Sequence, residues 1–296
     1  LIEEVTGLKF TRREFLRLAA GGLATTGLLG GGFVYATQIE PGWVEVTSTQ
    51  VNIIGLAPAF DGFRILHLSD LHVDNRFMNR ERLLDLRALI GTLVYDVIVI
   101  TGDFVTDHTA SGVQSLLSEL LTSLEAPDGK FAVLGNHDYW TNPAAVRAML
   151  LQSDVTELAN RIHTITRGDD RLHVCGVDDV WEGMNDLRVV LSALPPEGTA
   201  ILLAHEPDFA DQAAAARRFA LQLSGHSHGG QIRLPLIGAP ILPWLGEKYP
   251  AGLYEIDGMF QYTSRGIGLL RPALWFPEIR FNCRPEIALI TLRRTA

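Results

Sequence analysis

A chain of 296 residues, 47% of them hydrophobic, can bury one large core without being forced into two domains. Its formal net charge of −9 argues against a general affinity for nucleic acid, whose phosphates want a basic surface, while leaving room for a locally positive site. Glycine and proline usage excludes collagen-like and disordered classes, and the two cysteines, Cys175 and Cys283, form no CxxC pair that would suit thiolate zinc or dithiol redox chemistry. A single disulfide between them stays open, but two buried free cysteines is the preferred reading.

The chain opens with a basic stretch, "TRREFLR" (Thr11 to Arg17), followed by an uncharged apolar run from Leu18 to Ala36. Such a pair is a secretion or membrane signal rather than part of a fold. The run is about long enough to cross a bilayer, though its glycines keep it only mildly hydrophobic. The stretch resembles the twin-arginine export signal in Arg12, Arg13 and the following Phe15 and Leu16, with Arg17 where that signal usually has lysine. The alternative is a chance arginine pair before an ordinary anchor helix. Residues 1–40 are therefore expected to be signal or membrane anchor and linker, and residues 41–296 the folded domain. With the arginines held inside, the domain is expected at the cell membrane or in the periplasm, on the extracytoplasmic side. The other possibility is an anchor on the cytoplasmic face. "VYA" (Val34 to Ala36) is a tolerable cleavage site, and whether the segment is removed stays open.

Beyond residue 41 the chain alternates between short apolar runs and helical patterns, which predicts an α/β fold. "MNRERLLDLRALIGTLV" (Met78 to Val94) places apolar residues at helical spacing, as does the stretch from Ser111. "NPAAVRAMLLQ" and "EPDFADQAAAARRF" carry Pro143 and Pro207 where a first helical turn accepts proline. Five apolar runs read as buried strands, and all five end on Asp, Asn or His. "FRILHL" leads to Asp70 and His72, "DVIVI" to Asp103, and "KFAVL" to Asn136, His137 and Asp138. "AILLA" leads to His205, and "FALQL" to His226 and His228. Ligands bind at the carboxyl ends of strands in α/β sheets, so five such endings are expected to converge on one crevice. Gly102, Gly135 and Gly225 precede three of the polar residues and permit close approach of backbone to ligand.

Asp70, His72, Asp103, Asn136, His205, His226 and His228 offer carboxylate, amide and imidazole donors without sulfur. That set suits two divalent ions drawn from Mn, Fe, Zn or Co, about 3.5–4 Å apart. Two such ions outweigh the two carboxylate charges, leaving a positive site suited to a phosphate anion. His137, beside Asn136, is the spare imidazole that could protonate a leaving oxygen, and Asp138 could orient a neighbouring histidine.

The ordered set "DLH", "GD", "GNHD", "AHEP" and "GHSH" resembles the calcineurin-like metallophosphoesterase superfamily. Its motifs span Asp70 to His228. The resemblance implies a four-layer α/β/β/α sandwich. By motif it assigns Asp70, His72 and His228 to one metal, Asn136, His205 and His226 to a second, and Asp103 to a bridge. It implies attack of a metal-bound hydroxide with His137 as catalytic acid. "EPGW", "GHSHGGQIRLP", "SRGIG" and "RPEIALITL" are similar to the twin-arginine-exported phosphodiesterases of the YkuE and YaeI type, a group related to a UDP-diacylglucosamine pyrophosphatase. The loop "GDFVTDHTA" lacks the arginine of phosphoprotein phosphatases and has Thr106 where purple acid phosphatases carry a tyrosine ligand, which argues against both activities.

Among the remaining residues, His67 inside a strand is expected to be a core residue, His163 and His173 structural, and His108 either a solvated loop residue or a substrate contact. Arg265, flanked by glycine after "FQYTS", is either a substrate-binding group gripping a phosphate oxygen or a surface or capping arginine. Two apolar loops, Leu234 to Leu245 and Gly268 to Pro277, either contact acyl chains or the bilayer or fold over one another as a lid. The function expected is hydrolysis of a phosphodiester or pyrophosphate, with a lipid-linked substrate and membrane association. A nucleotide or cyclic-nucleotide phosphodiesterase is the alternative, and a non-catalytic metal-stabilised binding module the rival of another class.

Overall fold

The computed structural model describes residues 30–74, 76–106, 111–270 and 278–295. The paired arginines, His108 and most of the second apolar loop lie outside the described residues.

Two six-stranded sheets build the fold. The first runs β1 (Glu45–Ile54), β12 (Glu286–Thr295), β2 (Arg64–Leu68), β3 (Val97–Thr101), β4 (Lys130–Val133), β5 (Thr156–Glu157). The second runs β10 (Gly252–Ile256), β11 (Met259–Thr263), β9 (Leu221–Ser224), β8 (Thr199–Leu203), β7 (Asp170–Gly176), β6 (Arg161–Arg167). β2 to β5 are parallel, as are β7, β8, β9 and β11.

Side-chain alternation explains why the central strands read as unbroken apolar runs: both faces are covered. Ile65, Val97 and Val99 meet Ile201, Leu203 and Leu223 between the sheets. Leu66, Leu68, Ile98 and Ile100 face the other way, against α1 (Arg80–Ile90), α2 (Ser111–Ser123) and α4 (Pro143–Gln152), while the short α3 (Asn136–Thr141) precedes α4. Ala200, Leu202 and Ala204 likewise face α5 (Leu187–Ala193) and α6 (Ala210–Ala215). Three apolar layers thus separate helices, sheet, sheet and helices.

Local signals set the helix limits. The Asn79 side chain accepts from Arg82 N–H and starts α1, which stops at the Gly91 cap, short of Val94. Asn142 caps α4 ahead of Pro143. The fourth expected helix divides into a 3₁₀ turn at Pro207–Phe209 and the short α6.

The stretch leading into β1 packs on the segment before β12. Residues 30–39 are helical, ending in a π turn at Tyr35–Ile39. The buried Glu40 carboxylate accepts from the N–H groups of Asn282 (3.0 Å) and Cys283 (2.5 Å), and Arg280 N–H donates to Ala36 O at 3.0 Å. Among the described residues no helix is long and apolar enough to cross a membrane. Cys175 and Cys283 are both buried and free.

His173 is structural, bonded to Thr164 and the Glu197 carbonyl, and His163 lies against the Phe131 ring. His67 is buried on β2 with Nε2 2.8 Å from Thr101 Oγ1, and burial pushes its pKa down to about 4. An unfolded chain takes up this proton near pH 6.5, so stability should fall by about 3 kcal/mol as pH drops from 6.5 to 4 and then level off. His67→Gln should flatten that part of the curve in urea titrations between pH 7.5 and 4; an unchanged slope would contradict it.

Candidate metal centre

All seven expected ligands meet at the carboxyl edge of the two sheets. Asp70 and His72 follow β2, Asp103 follows β3, and Asn136 begins α3 after β4. From the second sheet, His205 follows β8, and His226 and His228 follow β9. Five of the seven have positive φ: Asp70 (50°), His72 (44°), Asp103 (54°), His226 (68°) and His228 (50°). Such angles are uncommon for residues with a Cβ and cost about 1–3 kcal/mol each. They persist because neighbouring turns hold them: Asp70 N–H donates to Gly102 O (3.0 Å), His72 N–H to Asp103 O (3.0 Å) and Gly268 N–H to Asp70 O (2.7 Å). Glycine is required at 225, where an added Cβ would overlap Ser69 Oγ and Asp70 Oδ2.

Donor atoms from Asp70, His72, Asp103 and His228 all lie within 4.8 Å of one another, and all four residues are buried. His72 Nε2 sits 3.1 Å from His228 Nε2 and 3.4 Å from Asp103 Oδ2. His228 Nε2 is 3.4 Å from Asp70 Oδ1. On the other side of Asp103, its Oδ2 is 3.3 Å from His205 Nε2. Asn136 Oδ1 is 3.0 Å from His226 Nδ1.

The hydrogen bonds fix which ring nitrogens face inward. A carbonyl only accepts, so His205 Nδ1 (2.7 Å from Thr101 O) and His226 Nε2 (2.8 Å from Trp244 O) carry hydrogens. In the neutral rings His205 Nε2 and His226 Nδ1 are then the atoms that present lone pairs toward Asp103 and Asn136. His205 Nε2 is buried without a hydrogen-bond partner. Electrostatics report the same crowding of acceptors. Burial and the nearby Asp103 charge push Asp70 up, against the pull of His205. Burial also works against ionised Asp103, but the neighbouring His205 and His137 rings hold it well below the usual carboxylate range, and against burial the Asp103 charge in turn pushes His205 well up. Burial pulls His228 well down, and His72 adds to this. Lone pairs and carboxylates aimed at one buried point, with too few donors among them, fit divalent cations.

Other residues settle into supporting places. His137 lies beside the cluster, its N–H donating to Asp103 Oδ1 (3.0 Å) and its Nδ1 2.9 Å from Thr106 O. Asp138 does not orient a histidine. Its carboxylate accepts from Gly135 N–H (3.0 Å), Phe104 N–H (2.9 Å) and Val105 N–H (3.3 Å), tying two strand endings together. Arg265 is not among the lining residues of the cavity described below, and its guanidinium pairs with Glu286 (3.0 Å) and Glu45 (2.9 Å).

The cluster opens into a cavity of about 300 Å³ whose apolar lining includes Ile232, Ile241, Leu242, Leu270 and Ile279. Its aromatic wall was missed in the sequence. Of its lining rings, the centroids of Trp140 and Trp181 are 5.6 Å apart and those of His137 and Trp140 4.7 Å, while Trp244 backs Trp181 at 5.1 Å. Trp181 follows β7, a sixth strand with a polar ending, "VDD", that was open to the same reading as the other five. Glu206, next to His205, accepts from Val180 N–H and Trp181 N–H and holds that loop in place.

Comparison with known proteins agrees with this geometry. Residues 63–230 match the family profile described as Calcineurin-like phosphoesterase. The chain is 36% identical over 293 residues to the metallophosphoesterase YkuE of Bacillus subtilis, covering 97% of this chain and 99% of that protein. It is 32% identical to the phosphodiesterase YaeI of Escherichia coli, covering 95% and 99%. It is 26% identical to the UDP-2,3-diacylglucosamine pyrophosphatase LpxG of Chlamydia trachomatis, covering 87% and 92%.

Gly225→Ala should cost about 1–3 kcal/mol by overpacking and should weaken Mn²⁺ binding by displacing Asp70. Titration calorimetry on the folded variant checks this, and wild-type Mn²⁺ affinity would contradict the required close approach.

Proposed function

The chain belongs to the calcineurin-like phosphoesterase family, and on that premise we propose that it hydrolyses a phosphodiester or pyrophosphate bond of a lipid-linked substrate at a dinuclear centre outside the cytoplasm. The observation that carries this reading is the continuity between the buried Asp and His cluster and an apolar, tryptophan-walled cavity. Asp70, His72 and His228 would hold one cation, Asn136, His205 and His226 the other, with Asp103 between them. Two cations bound there would acidify a water and neutralise the phosphoryl oxygens.

The chain's own groups supply the rest. Because Thr106 O only accepts, His137 Nδ1 is a donor, and Nε2 is the atom that gains or loses the second proton. A doubly protonated His137 would give the Nε2 proton to the leaving oxygen. Burial lowers the His137 pKa while Asp103 raises it, so Asp103 helps keep the proton available. Asp103 also fixes the His137 backbone through its N–H. The tryptophans and apolar side chains exclude water from the leaving group and receive its hydrocarbon part.

Support for a lipid-linked substrate comes from the cavity's apolar lining and from similarity to LpxG. The basic-apolar N-terminal sequence supports an extracytoplasmic, membrane-associated location. A nucleotide phosphodiesterase would use the same cluster but would leave the apolar lining without a partner. A binding module would have no use for His137.

Metal analysis of the purified chain should find two divalent ions, and Asp103→Ala should lose both. His137→Ala should cut turnover of bis-p-nitrophenyl phosphate about 10²–10⁴-fold at unchanged metal content; lost metal would make His137 a ligand instead. Side-by-side assays should favour lipid phosphodiesters and lipid-linked pyrophosphates over nucleotides, and a clear preference for soluble nucleotides would sink the lipid reading.

A further inference from the structure

We infer that the loop Leu234 to Leu245 and the helical stretch before Glu40 form one docking face for a lipid bilayer, which sets the mouth of the cavity against the membrane surface. The inference rests on the lipid-linked reading above and adds the surface by which the substrate is approached.

The loop tip is built, not merely extended. Leu234 N–H donates to Gly238 O (2.8 Å) and Gly238 N–H to Leu234 O (2.9 Å), closing a tight turn. Leu236 is held at φ 67° within it. This ordered turn drives its aliphatic side chains outward, with Leu236 fully exposed and Ile237 73%, and Ile241 just beyond it is 77% exposed. Trp244 follows at 56%, and Trp140, 52% exposed, lines the cavity together with Ile241 of the loop. Single exposed apolar residues are ordinary, but this many around one mouth mark an interaction site.

The N-terminal stretch continues this surface. It packs on residues 280–283 through Ala36 O and Glu40. Those residues in turn pair with residues 231–233, where Ile232 bridges Phe281 and Arg233 N–H donates to Phe281 O at 2.9 Å. The apolar loop leaves directly from Arg233. Phe33, Val34, Ile39 and Trp43 are exposed on this neighbouring stretch, and the Arg284 guanidinium lies 3.5 Å over the Trp43 ring. Tryptophan and arginine beside aliphatic groups suit the headgroup boundary.

A bilayer is favoured over other occupants by the chain leading into this face. Residues 18–29, immediately before the helical stretch, carry no charge and are mostly apolar. The stretch that follows them packs on residues 280–283, which pair with the base of the apolar loop, so insertion of residues 18–29 would bring the loop toward the same surface. The cavity is lined by Ile241, Leu242 and Pro243 of the loop and opens beside it, where a lipid headgroup would lie.

The test uses the full chain in phosphatidylethanolamine–phosphatidylglycerol vesicles. An environment-sensitive fluorophore is attached at Ile237→Cys and, as a control, at Leu151→Cys, which is 80% exposed on α4. Both native cysteines are buried, so the label goes to the introduced thiol. Spin-labelled lipids should quench the label at 237 and leave the one at 151 unquenched. An unquenched 237 label on vesicle-bound protein would overturn the inference. So would a 237 label shielded without lipid, by self-association or by closure of the loop as a lid. The double variant Leu236→Ser, Ile237→Ser should slow hydrolysis of a vesicle-borne phosphodiester about tenfold with bis-p-nitrophenyl phosphate turnover unchanged. Equal loss on both substrates would also overturn it. If the wild-type chain cleaved neither substrate, the hydrolase reading would fail, while the quenching result would still decide the docking face.

Discussion

The Asp103 carboxylate is the point at which the two halves of the molecule are tied. Its Oδ2 lies 3.4 Å from His72 of the first sheet and 3.3 Å from His205 of the second. Its Oδ1 accepts the His137 N–H, so the same side chain sets the start of α3. Asp103 can do this only with a left-handed backbone, directly after Gly102, at the end of a fully buried strand. The apolar layer between the sheets fixes their separation, and the separation fixes how far apart the five strand endings stand. Packing of Ile65, Val97, Val99, Ile201 and Leu203 is therefore a condition of the site's geometry.

Behind the cluster lies a second tier of polar contacts that is buried as deeply. Ser69 Oγ donates to Thr101 O, and Thr101 Oγ1 donates to Ser69 Oγ while also meeting His67. Arg280, fully buried, donates to the carbonyls of Arg265, Gly266, Gly268 and Cys283. The loop so gathered rests on Ser69 and Asp70 through Ile267 N–H and Gly268 N–H. Arg265 belongs to this tier through Glu286 and Glu45. A buried guanidinium is tolerated there because carbonyls surround it, and removing it would leave several of them unpaired.

Much of the fold and most of the cluster were legible in the chain. Unbroken apolar runs such as "VIVIT" mark strands covered on both faces, and polar residues directly after them mark the carboxyl edge where such strands converge. Glycine before Asp103, Asn136 and His226 was an honest sign of close approach. Less legible was what partners each polar side chain chooses. Asp138 looked like a histidine's partner and is a backbone clamp. Arg265 offered two readings, and its pairing with Glu45 and Glu286, side by side at the starts of β1 and β12, joins residues far apart in the chain. The Trp140–Trp181 wall, backed by Trp244, comes from three separate segments, so no local pattern announces it.

By itself, the sequence determined the chemistry available: which donors exist, that sulfur is not among them, and that each stands at a strand's end, because residue identity and hydropathy period are local properties. The tertiary structure decided everything that depends on distance. It chose which nitrogen of His205 and His226 faces inward, since the carbonyls of Thr101 and Trp244 that occupy the other nitrogen are far off in the chain. It docked residues 30–42 onto residues 280–283 and so set the N-terminal approach beside the apolar loop. Such pairings arise from the meeting of two sheets, and no single stretch of chain carries that information.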